Sequence, residues 1–168
     1  MAHVMASQLW RAYSDTRLIN LVMVTMGRIE VCEVTPRPLD LGVHQDAVQD
    51  PRAGAIATFA GAVRDHDPAN PNPVVFLEYQ AHPSASSVLR SLAEEFADRD
   101  GLCAIAVSHR VDARLMIGEL AIVCAVSSAH RRTALDVCSE LVERIKHELP
   151  VWKLQQFADG SQEWVNCP

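Results

Sequence analysis

Cationic side chains recur near the end of this sequence, at the start of one segment with helical periodicity, at its end, and in the segment beyond. The first group is His130, Arg131 and Arg132, the second is Lys146 and the third is Lys153. Anions bind readily to such groups, because a helix N-terminus exposes free N–H groups and the positive end of the helix dipole. This spacing indicates a site for a phosphate or a carboxylate.

Arg64 is a further candidate for the same site. It follows a small, apolar, β-branched segment (54–63) and precedes a loop (65–73) rich in Pro, Asn and Asp. Binding groups often lie at such strand ends. Asp65 and His66 are more typical of turns. Charged residues at helix ends are also typical of ordinary solvated surface, so the charge pattern alone leaves both interpretations open.

The elements that must position these residues alternate along the chain. Strands are predicted over residues 28–34, 54–64, 74–80, 102–110 and 119–127, with a turn ending in Gly118 and a last strand running to Phe157. Helices are predicted over residues 42–49, 84–99 and 129–149. The pattern predicts an α/β chain of the α+β type, a single domain in which a mixed, mostly antiparallel sheet packs against helices.

The last helix carries most of the candidate site. Its apolar residues recur at helical spacing, with Ser127 and Ser128 as N-cap types before it. The apolar stripe consists of Ala134, Cys138, Leu141, Val142, Ile145 and Leu149. A count of 100° per residue places Arg131 beside this stripe, His130 near its edge and Lys146 on its flank. Because Pro150 ends the helix, Lys153 belongs to the next element.

Composition excludes several classes. At 168 residues the chain suits one domain, and a net charge of −6 argues against non-specific nucleic-acid binding. No apolar run is long enough to span a membrane, and the histidines have no metal-ligand spacing, so we expect neither a membrane span nor a bound metal. Five scattered cysteines indicate a reducing cytoplasm, with Cys103, Cys124 and Cys138 in the core. Residues 1–26 are predicted to be a flexible extension outside the domain at 27–168.

Three motifs then resemble a known family. They are FAGAVRDHD (59–67), SSAHRR (127–132) and LPVWKLQ (149–155), and the stretches LEYQAHP (77–83) and VSHRVDARLMIGEL (107–120) agree with them. In this order and spacing they resemble the MoaE family, the large catalytic subunit of molybdopterin synthase. Each motif is weak alone, but the resemblance covers roughly residues 27 to 166.

The resemblance implies an α/β hammerhead fold and a sulfurtransferase activity. Family members convert cyclic pyranopterin monophosphate, called precursor Z, into molybdopterin by installing two sulfurs as a dithiolene, as a step of molybdenum cofactor biosynthesis. A small ubiquitin-like subunit (MoaD type) delivers the sulfur as a C-terminal thiocarboxylate. The large subunits form a homodimer within a heterotetramer. No cofactor is expected in this subunit.

The resemblance also assigns roles to the matched positions. Arg64, His130 and Arg131 are expected to bind and orient the anionic groups, since arginine offers a planar fork for phosphate and keeps its charge at any working pH. Lys146 and Lys153 are expected both to bind substrate and to take part in the chemistry, as general acids or bases. Lys146 is favoured for chemistry near the thiocarboxylate and Lys153 for substrate contact.

Two other classes stay open on the sequence. The first is a non-catalytic module that binds a ubiquitin-like tail or a pterin phosphate. The second is a generic phosphate-ester enzyme, which is the weaker alternative because no paired carboxylates or metal ligands accompany the cations. Substitution of Lys146 by arginine separates a binder from a proton-transfer catalyst, because guanidinium does not deprotonate.

Overall fold

Two four-stranded sheets organise the described part of the chain, residues 26–166 of a computed structural model. The elements in chain order are β1 (Arg28–Thr35), α1 (Leu41–Ala47), β2 (Ala55–Ala62), β3 (Val74–Ala81), α2 (Ala85–Ala97), β4 (Leu102–Arg110), β5 (Arg114–Met116), β6 (Leu120–Ser128), α3 (Arg131–Glu148), β7 (Val151–Phe157) and β8 (Gln162–Asn166).

The first sheet has the strand order β1-β4-β6-β2, with β1 parallel to β4 and the other pairs antiparallel. Its central strands are buried on both faces. Ile105 and Val107 pack in the main core with α2 and α3, while Ala104 and Ala106 pack with Val48 beside α1. Since successive side chains of a strand point to opposite faces, one face of the sheet carries large side chains that pack against α2 and α3, and the other carries small side chains beside α1.

The long helix α3 packs on the face of the first sheet that carries the large side chains, and its predicted apolar stripe is confirmed. All six stripe residues are buried. The helix begins at Arg131 rather than Ala129, and His130 is the N-cap residue, without a capping side-chain hydrogen bond. The predicted serine caps are wrong, because Ser127 and Ser128 belong to β6 and are fully buried in the sheet.

The second sheet has the order β5-β3-β7-β8 and is antiparallel throughout. Neither of its outer strands is apparent from the sequence: β5 lies within the region interpreted as a turn, and β8 has only five residues. Val63, Leu77, Leu115 and Phe157 form part of its core. Tyr79 packs against both cores and therefore marks the junction of the sheets.

The predicted fold class is confirmed as a mixed α+β arrangement, although its strands are divided between two sheets. Cys103, Cys124 and Cys138 are buried, as predicted. The predicted extension at residues 1–26 lies, apart from Met26, outside the described residues. None of the helices in the described region is both long and apolar enough to cross a membrane.

Candidate active site

A cleft of about 400 Å³ opens where the two sheets meet the end of α3. Three of the predicted site residues line it: Arg64, Lys146 and Lys153. They come from the segment just after β2, the last turn of α3 and the middle of β7. The volume lies in the range of small-molecule sites. The cleft thus brings together three cations from three separate parts of the chain.

Arg64 is held in place by its neighbours in the chain. The N–H of Val63 donates to the carbonyl of Glu119 at 3.0 Å, and the carbonyl of Val63 accepts from Gly118 at 2.8 Å. On the other side, the carbonyl of Asp65 accepts from the N–H of Val74 at 2.8 Å. The Val63 side chain is 3% exposed in the second core. The backbone on both sides of Arg64 is therefore fixed, while its own side chain is exposed.

Lys146 reaches the cleft from the last turn of α3. Its Nζ lies 5.6 Å from the centroid of the Phe59 ring, a cation–π contact, and 4.0 Å from a carboxylate oxygen of Glu143. Its side chain is 55% exposed. The helix ends at Glu148 and β7 begins at Val151, so a very short connection joins the elements that carry the two lysines.

Lys153 lies on the cleft face of β7. It pairs directly with Tyr79 on β3 and with Val165 on β8. Residues directly opposite one another in antiparallel strands point to the same face, so Lys153 and Tyr79 stand side by side on the cleft wall. Gln155, two residues further along β7, lines the same wall.

The remaining wall is apolar and closely packed. Phe59, Leu77 and Ile122 line it. At Gly61 an added Cβ would lie 2.6 Å from Cγ2 of Ile122, so a larger residue there would require the Ile122 side chain or the strand to shift. The register of β2 against β6 shifts between Gly61 and Ala62. Such a bulge bends the strand locally, here two residues before Arg64.

Asp67 is an anion at the edge of this cationic site. Its Oδ1 accepts from the N–H of Ala69 at 2.9 Å, and its Oδ2 accepts from Nε2 of Gln155 at 2.7 Å. These two hydrogen bonds, in that order, lower the pKa of Asp67, and the charges of Lys153 and Arg64 lower it further. Asp67 is thus a carboxylate at neutral pH and partly offsets the positive charge of the cleft.

A buried histidine supports the cleft wall from behind. The ring of His109 meets the ring of Tyr79 edge to face, with centroids 5.0 Å apart. His109 is 7% exposed, and burial lowers its pKa to about 4. Nδ1 lies 3.1 Å from the carbonyl oxygen of Arg110, which indicates that this nitrogen carries the proton and donates it. His109 is therefore neutral at pH 7.

His130 and Arg131 do not lie in this cleft of the single chain. They are exposed at the opposite end of α3, and neither is among the residues that line it. The fifteen-residue separation of Arg131 from Lys146 corresponds to roughly 22 Å along a helix. In a single chain the five predicted site residues therefore form two groups. Arg64, Lys146 and Lys153 lie in the cleft, and His130 and Arg131 lie together at the start of α3.

Other features of the described region are less suited to chemistry. A larger depression of about 610 Å³ is lined by residues 49–51 and 53–56, but its carboxylate, Asp50, is already ion-paired with Arg28 and Arg52. Among residues 26–166 there is no cluster of three or more histidine, cysteine or acidic side chains placed to hold a metal. The cationic cleft is the better candidate.

The sequence missed four residues of the site: Phe59, Tyr79, Asp67 and Gln155. Gln155 could have been found, because it is two residues from Lys153 on a predicted strand and so shares its face. Tyr79 and Asp67 reach the site through long-range pairing, which periodicity does not reveal.

Together these features define an α+β domain in which two sheets and a long helix converge on a cationic cleft. The family model described as "MoaE protein" matches residues 34–148. A molybdopterin synthase catalytic subunit of Bacillus subtilis is 37% identical over 138 residues, covering 82% of this chain and 85% of the relative. The chain belongs to the MoaE family.

Solved structures agree with this assignment. The crystal structure of molybdopterin synthase from Staphylococcus aureus matches with a TM-score of 0.72 and 27% identity, over 82% of this chain and 97% of that chain. A complex of subunits 1 and 2 of molybdopterin-converting factor from Helicobacter pylori matches with a TM-score of 0.65 over 81% and 91%. At 19% identity the latter likeness concerns the fold alone.

Proposed function

We propose that this chain is the catalytic subunit of a molybdopterin synthase, a sulfurtransferase of molybdenum cofactor biosynthesis that converts cyclic pyranopterin monophosphate into molybdopterin. The observation that carries the proposal is the convergence of Arg64, Lys146 and Lys153 on one cleft with an apolar wall. A flat ring system suits the apolar wall, and a phosphate suits the cations. The names of the curated relatives support the same activity.

The sulfur donor in this proposal is a small ubiquitin-like subunit with a C-terminal thiocarboxylate. The curated relatives are named catalytic subunits, which supports a second subunit as partner. Donor and substrate are both anions, so bringing them into one cleft requires fixed positive charge to offset their repulsion. The three cations of the cleft supply that charge.

The proposed compartment is the cytoplasm. The free thiols of the described region suit its reducing conditions.

Each transfer forms a carbon–sulfur bond on the pterin side chain in place of a carbon–oxygen bond, whose oxygen leaves as water or stays on the phosphate as its ring opens. Hydrolysis breaks the bond between the acyl carbon and the sulfur of the thiocarboxylate, and the oxygen of that water converts the C-terminus of the small subunit to an ordinary carboxylate. The step involves no net oxidation, but protons must move. Lys146 acts as the general acid and base beside the thiocarboxylate. Lys153 contacts the substrate and stabilises developing negative charge, and Arg64 holds the phosphate.

A homodimer completes the site in this proposal. His130 and Arg131 lie roughly 22 Å along α3 from Lys146, too far for the same bound molecule in one chain. A second copy of the large subunit brings its own His130 and Arg131 to the open side of the cleft, where they bind substrate. A small subunit then binds at each end of the dimer.

The test is reconstituted sulfur transfer. The full-length protein is mixed with thiocarboxylated small subunit and precursor Z, and molybdopterin is measured for wild type, Lys146→Ala and Lys153→Ala. Loss of a general acid–base group is expected to cut the rate by roughly 100-fold or more. Arg90→Ala is the matched control, because it removes one positive charge from the exposed surface of α2. Wild-type rates in both lysine variants would exclude the mechanism.

A further inference from the structure

We propose that Asp67 and Gln155 are positioning residues, whose hydrogen bond fixes the loop that carries Arg64 against the strand that carries Lys153. The inference rests on the proposed function for its kinetic consequence and on geometry alone for its structural one. Neither residue is among the sequence-predicted site residues. We call this hydrogen-bonded pair the Asp67–Gln155 clasp.

The clasp joins two parts of the site that are distant in sequence. Nε2 of Gln155 donates to Oδ2 of Asp67 at 2.7 Å, across 88 positions of the chain. Gln155 is 3% exposed, so its amide is held away from competing water. Asp67 lies three residues after Arg64, and Gln155 lies two residues after Lys153 on the same face of β7.

The local structure of the loop makes Asp67 a suitable anchor. Its second carboxylate oxygen accepts from the N–H of Ala69, and its backbone carbonyl accepts from the N–H of Asn70 at 3.1 Å. The side chain therefore orders the loop and attaches it to β7 at the same time. The predicted loop therefore has internal hydrogen bonds and is attached to the buried side chain of Gln155.

The clasp affects the geometry of the cleft rather than its charge. The Arg64 side chain is exposed, so the position of its backbone limits where its guanidinium can reach. The hydrogen bonds of Val63 and Asp65 fix that backbone locally, and the clasp fixes the rest of the loop relative to the strand that carries Lys153. A bound phosphate needs the distance between Arg64 and Lys153 to be constant, since misplacement by about 1 Å can cost roughly 100-fold in rate. A negative charge at Asp67 would by itself only weaken anion binding, which indicates that its hydrogen bonds are the reason for its place there.

Three variants separate the hydrogen bond from the charge. Gln155→Leu removes the bond and leaves the charge of Asp67 unchanged. Asp67→Asn removes the charge, but the bond can re-form if the Gln155 amide turns over and accepts. The exchange of both residues, Asp67→Asn with Gln155→Glu, restores one negative charge and one hydrogen bond with donor and acceptor reversed.

A matched control is available on the same strand. Gln156→Leu makes the same change one residue further along, where the amide donates to the carbonyls of Phe157 and Ser161 outside the cleft. If Gln155→Leu does not fold, Asp67→Ala removes the same bond from the loop side. A urea unfolding midpoint for each variant identifies those that fold.

The first measurement needs no substrate. Amide hydrogen exchange of the free full-length protein is expected to speed up at least tenfold over residues 65–72 in Gln155→Leu, and to return to the wild-type rate in the exchanged double variant. Unchanged exchange in Gln155→Leu would overturn the clasp. Hydrogen exchange tests the clasp even if the wild-type protein forms no molybdopterin. That failure would contradict only the proposed function.

The second measurement is kinetic. With precursor Z as the varied substrate, Gln155→Leu is expected to lose roughly 10- to 100-fold in kcat/KM, Asp67→Asn to lose less, and the double variant to recover to within about threefold of wild type. Gln156→Leu stays at the wild-type value. An equal or larger loss in Asp67→Asn, or no recovery in the double variant, would contradict positioning by the hydrogen bond.

Discussion

Acid is expected to weaken this protein through His109, well before its carboxylates titrate. The buried ring has a pKa of about 4, against 6.5 for an exposed histidine. Below pH 6.5 the ring of His109 takes up a proton in the unfolded chain, whereas in the folded chain it stays neutral until about pH 4. The unfolded state then binds more protons, so stability falls as the pH falls and levels off only below about pH 4.

The magnitude follows from the two pKa values. The shift of about 2.5 units corresponds to a limit of roughly 3 kcal/mol, of which about 2 kcal/mol is lost between pH 7 and pH 5. Carboxylates with lowered pKa values, such as Asp67 and Glu119, contribute little in this window because they lose their stabilisation near pH 4 and below. The window from pH 7 to pH 5 is therefore the one that isolates the histidine.

The assay is urea unfolding at pH 7, 6 and 5, followed by tryptophan fluorescence. His109→Phe keeps an aromatic edge against Tyr79 and removes the titrating group, so its free energy of unfolding is expected to change far less with pH. His147→Gln, at an exposed side chain, is the control and retains the wild-type slope. A wild-type loss below about 0.5 kcal/mol, or an equal loss in His109→Phe, would refute the reasoning.

Two further predictions concern the cleft. Gly61→Ala places a Cβ within 2.6 Å of the Ile122 side chain and is expected to lower the free energy of unfolding by about 1–3 kcal/mol, measured in urea. Ala60→Ser, at the exposed neighbouring position of the same strand, is the control and is expected to keep the wild-type stability. Acylation of amines is expected to abolish sulfur transfer by neutralising the chain's two lysines, and precursor Z is expected to protect both from labelling in a peptide map; labelling at an equal rate with substrate present would contradict their place in the site.

Much of the fold follows from local pattern. The stripe of α3 and the apolar runs of β4 and β6 are readable because burial repeats with the period of each element. The division into two sheets is not, because β5 and β8 are short and obtain their stability from pairing with β3 and β7. Local periodicity carries no information about which strands become neighbours.

The candidate site, like the fold, could be predicted from the sequence only in part. The sequence placed Lys146 and Lys153 on different elements, and the structure does so too. It also placed Arg131 beside the buried stripe, but in the structure Arg131 is exposed, since α3 starts there and burial begins at Ala134. The Asp67–Gln155 clasp joins residues 88 positions apart, a contact that only the folded chain reveals.

The central claim is that Lys146 moves a proton during sulfur transfer and does not merely hold an anion. Single-turnover formation of molybdopterin by Lys146→Arg tests this claim most directly, because arginine keeps the positive charge but does not deprotonate. With precursor Z binding measured in parallel, the account predicts affinity within a few-fold of wild type and a rate at least about 100-fold lower. A wild-type rate in Lys146→Arg would contradict it and would identify the cleft as a place where charge alone is needed.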